Sequence, residues 1–182
     1  GLTTMLIGAC AALFQRDLKG LLAYSTVSQL GLIAMLLGIG TAQAATAAVF
    51  HILNHATFKA ALFMAGGIVE HATHTRDLNR LSGLARAMPV TFLLTGIAAL
   101  SMAGVPPLNG FLSKEMMLVE VLALPQIVLT VLVAVAAAFS AAYSFRLIGG
   151  LFLGPRTDVA DHAHDPGPAL WLWPGLLVVT VV

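Results

Sequence analysis

The chain has 182 residues, 59% of them hydrophobic and only 9% charged, with a mean hydropathy of +0.94. A soluble domain of this size needs no such composition, whereas a polytopic membrane protein does. The net charge of +1 gives no field for a nucleic-acid partner, and the single Cys10 excludes an intrachain disulfide and reads as a small core filler.

The apolar runs are continuous and rich in Ala and Leu, so they predict helices, which satisfy their own backbone in lipid, and not the alternating strands of a barrel. The expected fold is all-α: a polytopic transmembrane helix bundle forming a single domain over 1–182. The sequence starts at Gly1 without Met and stops inside the apolar run ALWLWPGLLVVTVV, so it reads as a piece of a longer protein whose signal peptide, if any, cannot be judged.

The first run, 2–14, ends at the polar stretch Gln15-Arg16-Asp17-Leu18-Lys19-Gly20. The second covers 20–39, where Ser25, Ser28 and Gln29 recur at i, i+3 and i+4 and form one stripe with Lys19 at its base. The two serines read equally well as small packing residues between helices. Lys19 reads as an interfacial anchor or a proton carrier.

An uncharged connection at 40–43 leads into the third run, 44–69, which contains AVFHILNHATFKAALFMA. His51, His55 and Lys59 follow one another at a spacing of four, so on a helix they share one stripe, drifting about 40° and climbing roughly 6 Å per step. Asn54 and Thr57 lie beside it. Ionisable groups at membrane depth cost about 2.5–3.5 kcal/mol each on insertion scales and survive mainly where they line an ion or proton path. Residues 70–88 carry Arg76, Arg80 and Arg86, with a weak amphipathic pattern at Leu78, Leu81 and Leu84 that predicts a segment lying on the membrane surface. His71 and His74, like His162 and His164 further on, sit in polar connections and read as solvated.

Apolar residues 89–105 and 111–124 flank Pro106-Pro107-Leu108-Asn109-Gly110, and the double proline forbids one continuous helix. Each piece falls short of the ~20 residues of a full crossing. Read as one broken crossing, they place the basic segments 15–19, 71–88 and 154–168 on a single side, cytoplasmic by the positive-inside rule. The run 127–153 carries Tyr143, Arg146 and Phe152 toward its interfacial end, and the last run, 169–182, opens with Trp171 and Trp173, which suit an interfacial belt.

Lys114 and Glu115 stand just after the break, with Glu120 further on. Discontinuous helices at bilayer depth are where transporters place ion sites. A lysine out of water can exchange its proton at a workable pH, and histidine can relay one between its ring nitrogens. The expected proton path therefore runs along Lys59, His55 and His51 and across to Lys114, with water filling the gaps and Glu115 as counter-charge to Lys114. The helical HxxxH could also hold zinc, but Ile52, Leu53 and Asn54 occupy the positions between, so the glutamate of the zincin pattern is missing. No metal and no cofactor are expected.

The strings DLKGLLAYSTVSQLGLI, FHILNHATFKAALFMAGGI and AGVPPLNGFLSKEMML resemble the proton-translocating antiporter-like membrane subunits, a family that includes the membrane-arm subunits of respiratory complex I and the multisubunit sodium/proton antiporters. The likeness covers almost all of 1–153, and NHATFKA, HTRDLNRLSGL and MAGVPPLNGFLSKE look most like the A-type subunit of the Mrp antiporters. The resemblance implies the second of two inverted repeats, with broken helices and a hydrated polar axis. It matches His51, His55 and Lys59 to the family's histidine–lysine helix, Lys114 to the lysine of the second broken helix, and Lys19 to the lysine leading into AYSTVSQ. It implies a transporter and not an enzyme: the proton-conducting half of a sodium/proton antiporter subunit in the cell inner membrane. Its partners would be the other membrane subunits of the complex, with protons and sodium as the ions. The first-repeat glutamate–lysine pair is absent, so these residues would not transport alone. The alternatives are a proton-pumping subunit of complex I or of a membrane-bound hydrogenase, a structural membrane subunit, and an intramembrane metalloenzyme.

Overall fold

A computed structural model describes the backbone of residues 1–182 and every side chain except that at position 169. Eight helices follow one another: α1 (Leu2–Phe14), α2 (Leu18–Ile39), α3 (Ala42–Thr73), α4 (Pro89–Ala103), α5 (Asn109–Leu122), α6 (Ile127–Phe152), the single turn α7 (Asp158–His162), and α8 (Pro168–Val179). Among the described residues, α2, α3 and α6 are long and apolar enough to cross a membrane. α4 and α5 reach only about 21–23 Å each at 1.5 Å per residue, against the ~30 Å of a hydrocarbon core. Large apolar side chains stay exposed around the bundle, Leu93 and Val128 at 61% and 67% for example, as lipid or neighbouring helices would require.

The helix ends explain the departures from the expected bounds. α2 begins at Leu18 because the Asp17 carboxylate caps it, accepting from Gly20 N at 2.6 Å. It closes at Gly40 in the left-handed region, and Thr41 caps α3 through Ala44 N at 3.0 Å. α3 runs four residues past its expected end to Thr73. Nothing in Glu70-His71-Ala72 breaks a helix, and the chain turns only at His74, whose φ is 53°.

The segment after α3 corrects the expectation of an amphipathic stretch on the membrane surface. It consists of short turns, and Leu78, Leu81 and Leu84 are 6%, 0% and 0% exposed, packed into the main core with Met88. Their spacing of three reflects successive turns, such as Leu81 N to Asp77 O at 3.1 Å and Met88 N to Leu84 O at 2.8 Å, interrupted by Gly83 with φ 75°. Two other placements differ. Cys10 faces outward on α1 and does not fill the core. Tyr143 and Phe152 are 0% and 1% exposed and turn inward, although Phe152 stands at the basic end of α6, where Ala85 N donates to its carbonyl at 3.3 Å.

All three basic segments meet at one end of the bundle. Leu18 N bonds Arg76 O and Leu78 N bonds Arg16 O, both at 2.8 Å. Thr157 Oγ1 donates to Arg80 O at 3.0 Å. At the other end, Thr41 Oγ1 donates to Glu120 near the foot of α5 at 2.8 Å. α4 starts at the basic end, where Asp165 accepts from Val90 N at 2.9 Å and from Thr91 Oγ1 at 2.6 Å. The pair α4–α5 therefore crosses the bundle once, broken at 104–108.

Candidate functional site

The break brings two backbone ends together. α4 ends at Gly104 (φ 85°), and the first turn of α5 packs against that end so closely that a Cβ on Gly110 would overlap Ser101 O. Only glycine fits there. Gly110 N donates to Ser101 Oγ at 3.1 Å. Lys114, one turn along α5, reaches back over Gly104 and donates to Met102 O at 2.8 Å, Ala103 O at 3.0 Å and Ser140 Oγ at 3.0 Å. Its three N–H groups are thus all used, two of them on carbonyls that the end of α4 leaves without helical partners.

From Ser140 the polar contacts continue. Tyr143 OH donates to Ser140 Oγ at 3.1 Å, and the Gln29 amide donates to Tyr143 OH at 2.8 Å and to Ser140 at 3.3 Å. Gln29 Oε1 faces His51 Nε2 at 2.8 Å. A carboxamide oxygen only accepts, so His51 carries its hydrogen on Nε2. The other ring nitrogen, Nδ1, lies 3.0 Å from Ser113 Oγ, which is also 3.1 Å from Gly110 O. Neutral His51 accepts from the Ser113 hydroxyl. A protonated ring donates to Ser113, whose hydrogen then turns to Gly110 O. Both states fit with no heavy atom displaced.

Lys59, 5% exposed, is held separately. Its Nζ donates to Leu22 O at 3.1 Å and to Ser25 Oγ. Ser25 and Gln29 are one turn apart on α2, so that helix carries the contacts of both α3 groups. His55 makes no direct hydrogen bond to Lys59 or His51: its ring stands 6.2 Å from that of His51 and edge-on to Phe58 at 5.4 Å, and among the described residues its Nδ1 is buried without a partner.

Glu115 is also corrected. It is exposed and lines a different cavity with Gln43, Thr46 and Glu120, because consecutive helical residues point about 100° apart. Lys114 is paired with carbonyl and hydroxyl oxygens and not with Glu115. Lys19 lies outside the buried network, in an ion cluster at the basic end: it meets Glu70 at 2.6 Å, while Arg76 meets Asp17 at 3.4 Å and Glu70 at 3.6 Å. Ser28 joins helices, donating to Met5 O at 2.8 Å. Asn54 ties α3 to the break through Asn109 O at 3.1 Å, and Thr57 bonds its own helix at Asn54 O. Ser113, Ser140 and Tyr143 are members that the sequence reading missed. The signal for two of them was there: Ser140, Tyr143 and Ser144 repeat on α6 the i, i+3, i+4 stripe noted on α2.

A helical membrane bundle with a broken helix, with Lys114 half-buried at the break and Lys59 and His51 buried nearby, defines the class of antiporter-like membrane subunits. Residues 1–140 match the family described as NADH:quinone oxidoreductase/Mrp antiporter, transmembrane, and the chain belongs to it. It is 55% identical over 172 residues to a probable A/B subunit of a K(+)/H(+) antiporter of Rhizobium meliloti, covering 91% of this chain and 17% of that protein. It is 41% identical over 207 residues to the A1 subunit of the Na(+)/H(+) antiporter of Staphylococcus saprophyticus, covering 100% and 26%. The chain therefore spans about a quarter or less of these relatives. The Mrp complex of Dietzia superposes with a TM-score of 0.87 at 42% identity, over 99% of this chain and 20% of that one. Respiratory complex I of Thermus thermophilus superposes with 0.89 at 27% identity, over 99% and 38%.

Proposed function

We propose that this chain forms the proton-conducting part of a monovalent-cation/proton antiporter subunit of the Mrp A type. The supporting observation is the chain of contacts Lys114–Ser140–Gln29–His51–Ser113 built around a helix break, with Lys59 held one turn away on the same α2 stripe. Lys114 and Lys59 hold and release the proton, and His51 takes and releases one at Nδ1, the Ser113 hydroxyl turning between Nδ1 and Gly110 O to suit either state. His55, with a bare ring nitrogen, is the place for water to join Lys59 to His51.

The proteins named as antiporter subunits, at 55% and 41% identity, favour this reading over a redox-driven pump. Their names carry potassium in one case and sodium in the other, so the exchanged ion is a monovalent cation of either kind. The partners are other membrane subunits of such a complex, and the basic end faces the cytoplasm of a cell inner membrane. The test is Lys59→Ala and Lys114→Ala in the complete assembly. Both abolish cation-dependent proton movement while the complex still inserts. Transport retained in both variants defeats the proposal, and leaves a structural subunit.

A further inference from the structure

Gln29 stands between the two groups that the proposed relay has to connect, and its chemistry is wrong for passing a proton. It is 3% exposed, with Oε1 on His51 and Nε2 on Tyr143 and Ser140. A carboxamide presents a pure acceptor on one side and a pure donor on the other. To conduct, it would have to take a proton on oxygen and release one from nitrogen. Serine, histidine and lysine each do the equivalent on a single atom or ring. The Nε2 face of His51 is therefore a dead end while Gln29 stays in place, and its proton comes and goes at Nδ1.

The way around Gln29 is nearly closed. A cavity beside it, between Gln29, Lys114 and Ser140, has a volume of about 10 Å³ and is otherwise lined by Ser28, whose hydroxyl donates to Met5 O, and by Met5, Leu32, Met117, Val133 and alanines. That is about the least space that admits one water. Swinging Gln29 away from His51 would open the same cavity to the histidine.

We infer that Gln29 is the gate of this site: its amide insulates His51 from Lys114 until the side chain swings aside and water takes its place. The inference rests on the relay reading above. It explains why a lysine and a histidine can lie close to a common path without short-circuiting the gradient that coupled exchange depends on. Tyr143 acts as the latch, since its hydroxyl holds the amide from the α6 side.

The test is made in the complete complex reconstituted in proteoliposomes, with proton leak measured under an imposed pH gradient without sodium or potassium. Gln29→Glu replaces the insulator with a group that can take and release a proton on oxygen, and Gln29→His does so with a ring. Leak is expected to rise roughly tenfold in either, the effect of about one hydrogen bond in the barrier. Gln29→Met keeps the length, stays apolar, and is expected to lower coupled exchange with leak unchanged. Adding Lys114→Ala to Gln29→Glu should return the leak to the wild-type level. Wild-type leak in both Gln29→Glu and Gln29→His, at normal complex abundance, overturns the gate, as does equal leak from Gln29→Met. If the single lysine variants have abolished transport, only the gate fails. If they have not, the relay fails first.

Discussion

Gly110→Ala is the sharpest test of the architecture on which the site stands. The added methyl would overlap Ser101 O and sit 2.7 Å from Ser101 C and 2.8 Å from Ser101 Oγ. Contacts below 3.0 Å are essentially never seen for real Cβ atoms, so α5 has to retreat from α4 by at least about 1 Å. Backbone atoms form the obstacle, and no side chain can rotate away to relieve it. A displacement of that size stretches the Lys114 bonds to Met102 O and Ala103 O, now 2.8 and 3.0 Å, past useful length. It also breaks the bond from Gly110 N to Ser101 Oγ. Overpacking costs about 1–3 kcal/mol, and each lost hydrogen bond about 0.5–1.5 kcal/mol. The total is about 2.5–7.5 kcal/mol, enough to lower the melting temperature of the complex in detergent and to remove cation-dependent proton movement. Gly149→Ala is the comparator, because a Cβ there meets nothing within 4 Å. If Gly110→Ala matches Gly149→Ala in both melting and transport, the two halves of the broken helix do not meet as described.

Two further outcomes follow from individual contacts. Tyr143→Phe keeps the ring and leaves the Gln29 amide only its longer bond to Ser140, 3.3 Å. An orphaned buried donor costs about 1–3 kcal/mol, so coupled transport should fall by roughly 5- to 150-fold at unchanged complex abundance. Ser144→Ala, which removes only a bond to its own helix at Ser140 O, should leave transport as it is. Wild-type transport in Tyr143→Phe would take that residue out of the site. Leu81→Ala empties a fully buried position in the segment between α3 and α4 and should cost about 2–5 kcal/mol of stability, read as thermal unfolding in detergent. A loss well below 1 kcal/mol would return that segment to the membrane surface.

What the sequence revealed and what it hid divide along a physical line. Run length and hydropathy fix helices, because lipid leaves the backbone no other open arrangement. A double proline fixes a break, and an ionisable residue within an apolar run identifies itself by its cost. Those rules found the fold, the break, Lys59, Lys114 and His51. They say nothing about which way a helix is rotated in its bundle. Tyr143 near the end of an apolar run matches an interfacial belt residue in composition, and only the rotation of α6 turns it onto Gln29. The same blindness put Cys10 inside and set Glu115 beside Lys114, though adjacent helical positions diverge. In 70–88 the leucine spacing was real, but arginines at similar spacing made it look like a surface face. The turns bury the leucines and leave the charges to the end of the bundle.

The dual position of Lys114 gives the break its significance. Its ammonium serves the carbonyl end of α4, where the helix dipole is negative and the last C=O groups lack partners. The same group is the proposed proton carrier. A change in its protonation therefore removes a donor from Met102 O, Ala103 O or Ser140, and the fit of α4 against α5 has to respond. By reciprocity, any movement of α5 relative to α4 alters how strongly that proton is held. On the proposed reading this is the physical link between a proton and a conformational change. Helix breakage, a cost in most of the bundle, here supplies both the oxygens that hold the charge and the joint that can move with it. Ser140 touches Lys114 and, through its bonds with Tyr143 and Gln29, the gate as well. On the proposed reading, a rearrangement at the break would reach the Gln29 amide through that hydroxyl.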